Sequence, residues 1–407
     1  MGKDTCWFET VEIPYSWGQF FFNAIYNIGR NALNGLKARS VESSRSAQTG
    51  DATSRTLSDR RHAEKKTPLV AGVTLSSNLS EKVFDLVDGW CGRAIRNGGI
   101  RASLDYGAYD LVISSFGPLW THEIAKTIKK SYPDVYWLAD FRDPIANTAR
   151  FDYEEKRGLA RLLVADADLV TAVSEGTLDN LYLGCGFKTS VLPNGFDPED
   201  IPCKERIVTD RFRVVYTGTL YSDGARQQDL SPLFHAISKA IAEGYMNRDD
   251  VVIEYAGTTS HLFHRFAQKY PRVPVIDHGL LARDEALELQ GRASLLVVAS
   301  WNSLVQTGVL TGKVFEYLGW GIPIVGLCTG DVPYSSLRRL LVDCSAGVCY
   351  EEADGETREE LTLFIKEQYR RWVETGITYC DHTAKEKAAK YSYPMLARRL
   401  VELVGMN

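Results

Sequence analysis

The sequence predicts an α/β protein built from two doubly wound parallel sheets. Short apolar runs alternate with amphipathic stretches from residue 69 to the C-terminus, the rhythm of parallel strands joined by crossover helices. The rhythm breaks once, at Pro193–Pro198 in VLPNGFDP, which divides the chain into two halves. A third observation concerns the ligand. The stretch TGKVFEYLGWGIPIVG opens a helix at Gly312 and sets Lys313 and Glu316 three residues apart on one face. It then closes on Gly321 and Pro323 before an apolar strand. A helix start, a cation and a carboxylate suit a nucleotide diphosphate: the first two meet phosphate, and the third accepts hydrogen bonds from ribose hydroxyls. A surface ion pair on an amphipathic helix is the plainer alternative.

Composition narrows the class. The 407 residues are 44% hydrophobic and 24% charged with a formal net charge of −5, enough chain for two or three domains with cores. That balance gives no reason to invoke nucleic acid. The eight cysteines form no CxxC pair and no zinc-like spacing, so they read as reduced thiols of a cytoplasmic protein. The opening MGKDTCWFET lacks the apolar core of a signal peptide, and no apolar run is long enough to span a membrane.

Taken in order, YSWGQFFFNAIYNIG can form a helix with Phe21, Phe22, Ile25 and Ile28 on one face, for packing or for touching a membrane or lipid. Residues 37–66 hold eight Lys or Arg against four Asp or Glu and almost nothing to bury, which predicts a mobile basic loop. Peripheral membrane contact through this aromatic and basic region is the corresponding partner expectation. LVAGV reads as a strand, and SEKVFDLVDGWCGRAIRNG as a helix capped by Ser80. The strands YDLVISS, DVYWLAD and DLVTAV follow, with the helices THEIAKTIKK, GLARLLVADA and SEGTLDNLYLG between and after them. The second half supplies the strands FRVVYTG, VVIEYAG, VPVIDHG, SLLVVAS, IPIVGL and AGVCY, again with helices between. A long helix over about 356–376 precedes one last helix, AKEKAAKYSYPMLARRLVELV.

The expected organisation is an N-terminal acceptor-side half over 1–195 and a nucleotide-binding half over 196–380. Residues 381–407 form a C-terminal helix packing back on the first half. Ligands of open parallel sheets bind at the carboxyl ends of strands. Those ends carry Ser114, Ser115, Gly117 and His122, then Asp140, Arg142 and Asp143. In the second half they carry Gly218, Tyr221 and Arg226, then Gly257 and Gly279. Some of these are turn formers, and Asp140, Arg142 and Asp143 can equally be a structural ion-pair cluster.

With these stretches in hand, a family resemblance follows. VSEGTLDNL, VLPNGFDP, VVYTGTLY, DHGLLARDEALELQ and TGKVFEYLGWGIPIVG fall in the order seen in retaining GT-B glycosyltransferases. They resemble the large group, GT4, that includes bacterial polysaccharide and lipopolysaccharide sugar transferases. LVISSFGPLWTH and WLADFRDP resemble the N-terminal half of a subset of that group. The resemblance covers about residues 80–405 and implies two Rossmann-like domains facing across a cleft.

It also implies roles. Gly218 would let the donor diphosphate approach the backbone, with Tyr221 and Gly312 nearby on the donor side. Arg226 and Lys313 would neutralise the leaving diphosphate, and Glu316 would hold the ribose. Backbone groups of His278, Gly279 and Leu280 would meet the base. His122 would stand near the donor sugar and acceptor, and Asn194 and Gly195 at the hinge. Ser115, Gly117, Asp140, Arg142 and Asp143 are the acceptor-side candidates. Partners would be a nucleotide sugar and a glycan or lipid-linked acceptor, with no nucleic acid.

Two departures stand out. The first Glu of the family's E-x7-E pair falls at Gly308, and the usual opening strand with its Gly-rich loop is not found in MGKDTCWFETVEIP. The N-terminal domain is therefore expected to lack its first strand or two. No DxD sits at a strand end, since Asp249–Asp250 precedes a strand, so transfer is expected to need no metal and no cofactor beyond the donor. The resemblance implies reaction on one face, with the leaving phosphate taking the acceptor proton. The competing class is a non-catalytic GT-B partner that binds the donor or another transferase without turnover.

Overall fold

Twelve strands and ten helices are named below, in chain order, from a computed structural model that describes residues 108–116, 120–143, 158, 160–181, 183–201, 208–223, 226–304, 306–378 and 382–405. The expectations for residues 1–107, including the aromatic helix, the basic loop, the first strand and the opening of the chain, lie outside the described residues, as does Gly117. Both described sheets belong to one compact unit, Asp105–Asn407.

The first sheet is parallel, with order β1-β2-β3-β4: β1 Leu111–Phe116, β2 Tyr136–Phe141, β3 Leu169–Ala172 and β4 Thr189–Val191. Helix α1, Trp120–Ser131, joins β1 to β2, and α2, Glu175–Leu181, joins β3 to β4. Trp137, Leu138, Ala139 and Phe141 of β2 are all fully buried, because helices cover both faces of a parallel sheet and leave no polar side to alternate with.

The second sheet has six strands in the order β12-β11-β10-β5-β8-β9, every pair parallel. These are β5 Phe212–Thr217, β8 Val251–Ala256, β9 Val275–Asp277, β10 Leu295–Trp301, β11 Ile324–Thr329 and β12 Gly347–Glu351. The helices are α3 Ser231–Ala242, α4 Ser260–Lys269, α5 Arg283–Gly291, α6 Gly312–Trp320, α7 Ser336–Asp343 and α8 Thr357–Thr375. Alternation sorts each strand between two cores. Phe212, Val214 and Tyr216 of β5 pack with Val251, Ile253 and Tyr255 of β8 on one face, and Val215 packs with Val314 and Phe315 of α6 on the other. The polar stretch after β5 contains a short antiparallel hairpin, β6 Ser222–Asp223 with β7 Arg226–Gln227. Buried Gln228 anchors it, accepting from the Tyr221 amide at 2.9 Å and donating to the Ala299 carbonyl at 2.6 Å.

The last helix departs from expectation. It is two helices, α9 His382–Ala389 and α10 Tyr393–Val404, separated at 390–392. Pro394 lies in the first turn of α10, where its missing N–H costs nothing, and it cannot continue a helix arriving from α9. The separating segment crosses the hinge. The Phe196 amide donates to the Tyr391 carbonyl at 3.1 Å and the Tyr393 amide to the Phe196 carbonyl at 2.9 Å. Beyond it, Leu400, Leu403 and Val404 pack on Leu111, Leu138 and Leu169 of the first sheet.

The halves also touch through two glycines. A Cβ at Gly308 would sit 2.5 Å from the Gly176 Cα, and Ser174 Oγ donates to the Gly308 carbonyl at 2.6 Å. Gly308 adopts φ +76°, so both its conformation and its surroundings require glycine. No helix among the described residues is long and apolar enough to cross a membrane.

Candidate functional site

Three strand ends of the second sheet build one cavity of about 320 Å³. β5 runs out at Thr217 into Gly218, which takes φ +129° and donates its amide to the Ala256 carbonyl at 2.7 Å. Gly257, after β8, donates to the Gly279 carbonyl at 2.8 Å, and a Cβ on it would meet the Gly218 oxygen at 2.0 Å. Glycine at 218 and 257 thus lets the backbones close up without side chains, and leaves the floor open to a ligand.

Helix α6 enters from the far wall. Thr311 at its N-terminus makes no capping bond, and its Oγ1 is buried without a partner among the described residues. The first amides of the helix therefore remain suited to an anion. The Lys313 stem crosses Gly218 so closely that a Cβ there would lie 2.8 Å from its Cε. Lys313 makes no ion pair among the described residues, which leaves its ammonium for a ligand. One turn on, Glu316 accepts from Gln290 Nε2 at 2.7 Å and lies 3.5 Å from Arg283. Gln290 is fully buried. It also donates to Thr217 Oγ1 at 3.0 Å and accepts from Trp320 Nε1 at 2.9 Å. Tyr317 bonds Thr217 Oγ1 at 2.9 Å, and burial pushes its hydroxyl up to about 12, so it stays protonated as a donor. Two of the carboxylate's positions are thus set by protein, and its remaining lone pairs face the cavity beside Arg283.

The mouth is apolar. Leu280 is 76% exposed and lines the cavity with Leu281. The amides of His278 and Gly279 are already engaged, by the Tyr255 carbonyl at 2.9 Å and Asp277 Oδ1 at 2.9 Å. The amides available to a ligand in this loop therefore begin at Leu280.

Of the donor-side candidates, Gly218, Lys313, Glu316 and Leu280 line one cavity, and Gly279 supports it through its carbonyl. Gly312 opens α6 beside it. Tyr221 packs edge-on against Trp301 at 6.2 Å. Arg226 is described by its backbone alone, opposite Asp223 in the hairpin. The sequence reading missed Gln290, Thr217 and Arg283, although Gln290 signals itself as a long polar residue in the last turn of α5, just before an apolar strand.

The first-half candidates behave differently. His122 is fully buried, between Phe116 at 6.3 Å and Phe141 at 4.7 Å, measured between ring centroids. Trp137 Nε1 donates to Ser114 Oγ at 2.8 Å, and Ser114 Oγ in turn hydrogen-bonds His122 Nδ1 at 2.7 Å, with the donor set by the imidazole tautomer. Its Nε2 is buried without a partner among the described residues, and burial lowers the imidazole from 6.5 to about 4. The His122 ring is thus packed within the first core, held neutral by its burial.

Asp140 is likewise occupied, accepting from Thr171 Oγ1 at 2.6 Å and pairing with Arg142 at 2.5 Å. Arg142 turns to the hinge, where it donates to the carbonyls of Leu192 and Pro193 at 3.3 and 3.2 Å and to Asn194 Oδ1 at 3.4 Å. These contacts tie Asp140 and Arg142 to each other, to Thr171 and to the hinge carbonyls. Ser115 and Asp143 are exposed, and the Ser115 carbonyl accepts from Thr121 at 2.7 Å. No group of three His, Cys, Asp or Glu among the described residues is placed to hold a metal ion.

No protein-family model matches the sequence, and no curated protein matches it. Solved structures do. The trehalose-6-phosphate phosphatase N-terminal domain of Candida albicans is 13% identical, with a TM-score of 0.57 over 81% of this chain and 78% of that one. An α,α-trehalose 6-phosphate synthase from Burkholderia multivorans is 9% identical, with a TM-score of 0.53 over 81% and 77%. A UDP-forming α,α-trehalose-phosphate synthase from Burkholderia xenovorans, in complex with glucose-6-phosphate, is 10% identical, with a TM-score of 0.51 over 81% and 80%. At such identities the likeness establishes the fold, the two-sheet GT-B architecture.

Proposed function

We propose that the chain is a glycosyltransferase that moves a sugar from a nucleotide-diphosphate donor to an acceptor hydroxyl with retention of configuration. It resembles the GT4 group that serves cell-surface polysaccharide and glycolipid synthesis. One observation carries the reading: Lys313, without an ion pair among the described residues, the start of α6 and Glu316, which Gln290 holds on one oxygen, border a single cavity floored by Gly218 and Gly257. That spacing matches a diphosphate followed by a ribose. The fold-mates that make trehalose phosphate are described in their own names as UDP-forming, which is the same class of leaving group.

In this reading the transition state spreads negative charge over the departing diphosphate. Lys313 and the α6 amides, already fixed in place, stabilise that charge without reorganising. Arg226, carried on the adjacent hairpin, is assigned the same duty. Glu316 accepts the ribose hydroxyls while Gln290 keeps its carboxylate from turning away. The positive charge comes from the chain itself, so the proposal includes no metal or other cofactor. The leaving phosphate takes the acceptor proton on the same face.

A second reading, a donor-binding partner without turnover, is favoured by a specific observation. His122 and Asp140 are consumed inside the first half, and glycine stands at 308 where the family carries a carboxylate. Thermal stabilisation by a panel of UDP-, GDP- and ADP-sugars, followed by assay of donor hydrolysis, separates the readings. Binding with hydrolysis supports the enzyme, binding without it supports the partner, and no binding contradicts both.

A further inference from the structure

The loop after β9 is gripped from both faces of the sheet. Asp277 and His278 are consecutive, so their side chains leave the strand on opposite sides. On one side, His278 Nε2 donates to Glu254 Oε2 at 2.7 Å. Glu254 sits in the middle of β8, 1% exposed, and its other oxygen takes Arg213 Nη1 at 2.6 Å. On the other side, Asp277 Oδ2 pairs with His264 of α4 at 2.9 Å, while its Oδ1 accepts the Gly279 amide at 2.9 Å. Desolvation opposes the Asp277 charge, but the Gly279 amide, Ser260 and His264 hold its carboxyl below the usual range.

A carboxylate in the middle of a parallel sheet is costly unless it is fully paired. An apolar residue would fill the Glu254 position without that cost. Its pairing ends at His278, two residues before Leu280, the exposed side chain at the mouth of the donor cavity. The two imidazole–carboxylate pairs therefore converge on one loop, whose next residues Leu280 and Leu281 line the cavity, and neither pair includes Lys313 or Glu316.

We propose that Glu254 is a positioning residue for nucleotide recognition. Through His278 it sets the loop of residues 278–281 against the base of the bound nucleoside diphosphate, with Asp277 and His264 fixing the same loop from the opposite face. The inference rests on the nucleotide-sugar reading of this cavity. It adds that base selection and phosphate binding are built by separate, separately breakable devices.

Calorimetric titration of the full chain tests it, with UDP, GDP, ADP and inorganic pyrophosphate as probes. His278→Ala should weaken the tightest-binding nucleoside diphosphate about tenfold, the scale of one lost charge-assisted hydrogen bond. Pyrophosphate affinity should stay within about twofold, the scatter for a site left untouched. His278→Gln, which can still donate to Glu254, should recover most of the loss, and Glu254→Gln should reproduce the selective weakening. Unchanged nucleotide affinity in His278→Ala would overturn the proposal, as would a parallel fall for pyrophosphate. Wild-type protein that binds pyrophosphate as tightly as every nucleoside diphosphate would overturn it too. If the wild type binds none of the four probes, the nucleotide reading of the cavity itself fails, and this inference falls with it.

Discussion

In the first half, both oxygens of Asp140 are taken by Thr171 and Arg142, Arg142 is spent on hinge carbonyls, and His122 is enclosed by Phe116 and Phe141. In the second, Lys313 lies across Gly218 without an ion pair among the described residues, and Glu316 keeps lone pairs beside an open cavity. Both groups lie at strand ends or on the helices that follow them in parallel sheets, and both look alike as letters. The difference lies in what closes over them. Phe116 and Phe141 end β1 and β2 beside His122, whereas Gly218 and Gly257 follow β5 and β8 at the cavity, and glycine leaves room where phenylalanine fills it. Polar residues at strand ends thus mark a site only where the neighbouring backbone stays bare.

The most severe way to break this comparison is to put a side chain where the halves meet. Gly308→Glu restores the carboxylate of the resembled family. The new Cβ, however, falls 2.5 Å from the Gly176 Cα, at a residue with φ +76°. Strain and overpacking together should cost about 2–5 kcal/mol, seen as a lowered urea midpoint at unchanged slope. A variant as stable as the parent would show that the contact between Gly176 and Gly308 is loose.

The buried imidazole offers the next test. The folded state holds His122 at about 4 against 6.5 ordinarily, so between those values the unfolded chain binds a proton that the folded chain refuses. The stabilisation is therefore complete above pH 6.5 and is lost as the pH falls towards 4. Its upper bound is about 3 kcal/mol, because each pH unit separating the two values is worth about 1.36 kcal/mol. His122→Phe, which keeps a ring between Phe116 and Phe141, should lack this component. Subtracting its stability-versus-pH curve from that of the parent should leave a difference that falls with acid. A flat difference would mean that His122 reaches solvent.

A smaller effect sharpens the second region. Glu316→Gln keeps the shape and the Gln290 contact but loses the charge that accepts two hydroxyls. Nucleoside diphosphate affinity should fall by about 1 kcal/mol while pyrophosphate affinity holds, because pyrophosphate has no ribose. Equal losses for both ligands would place Glu316 at the phosphates instead.

Much of this was legible beforehand. Gly312 and Gly321 punctuate α6 so clearly that its span, and the common face of Lys313 and Glu316, follow from the letters. The alternation of apolar runs likewise gives two parallel sheets, because strands buried on both faces read as continuous hydrophobic stretches. Other features depended on distant partners. The apolar pattern of the C-terminal segment continues through Pro394; the proline forbids one continuous helix, and the crossing at Phe196 fixes where the chain turns. Gln290 looks like a surface glutamine until Thr217, Glu316 and Trp320 gather around it. The burial of His122 was not legible, because a histidine near a strand end is ambiguous until the residues packed on it are known. The hairpin carrying Arg226 has strands of two residues, too short for any periodicity to register.

The central claim is that the open cluster of the second half binds a nucleoside diphosphate and the closed cluster of the first does not. Calorimetric titration of the parent, Lys313→Ala and His122→Phe with UDP, GDP and ADP tests it directly. The best of these ligands should bind Lys313→Ala with a loss of about 1.5–3 kcal/mol, the cost of a charge-assisted bond. It should bind His122→Phe within about 0.5 kcal/mol of the parent, the scatter for a residue that makes no contact. A loss at His122 with none at Lys313 would contradict the claim, and so would a parent that binds none of the three.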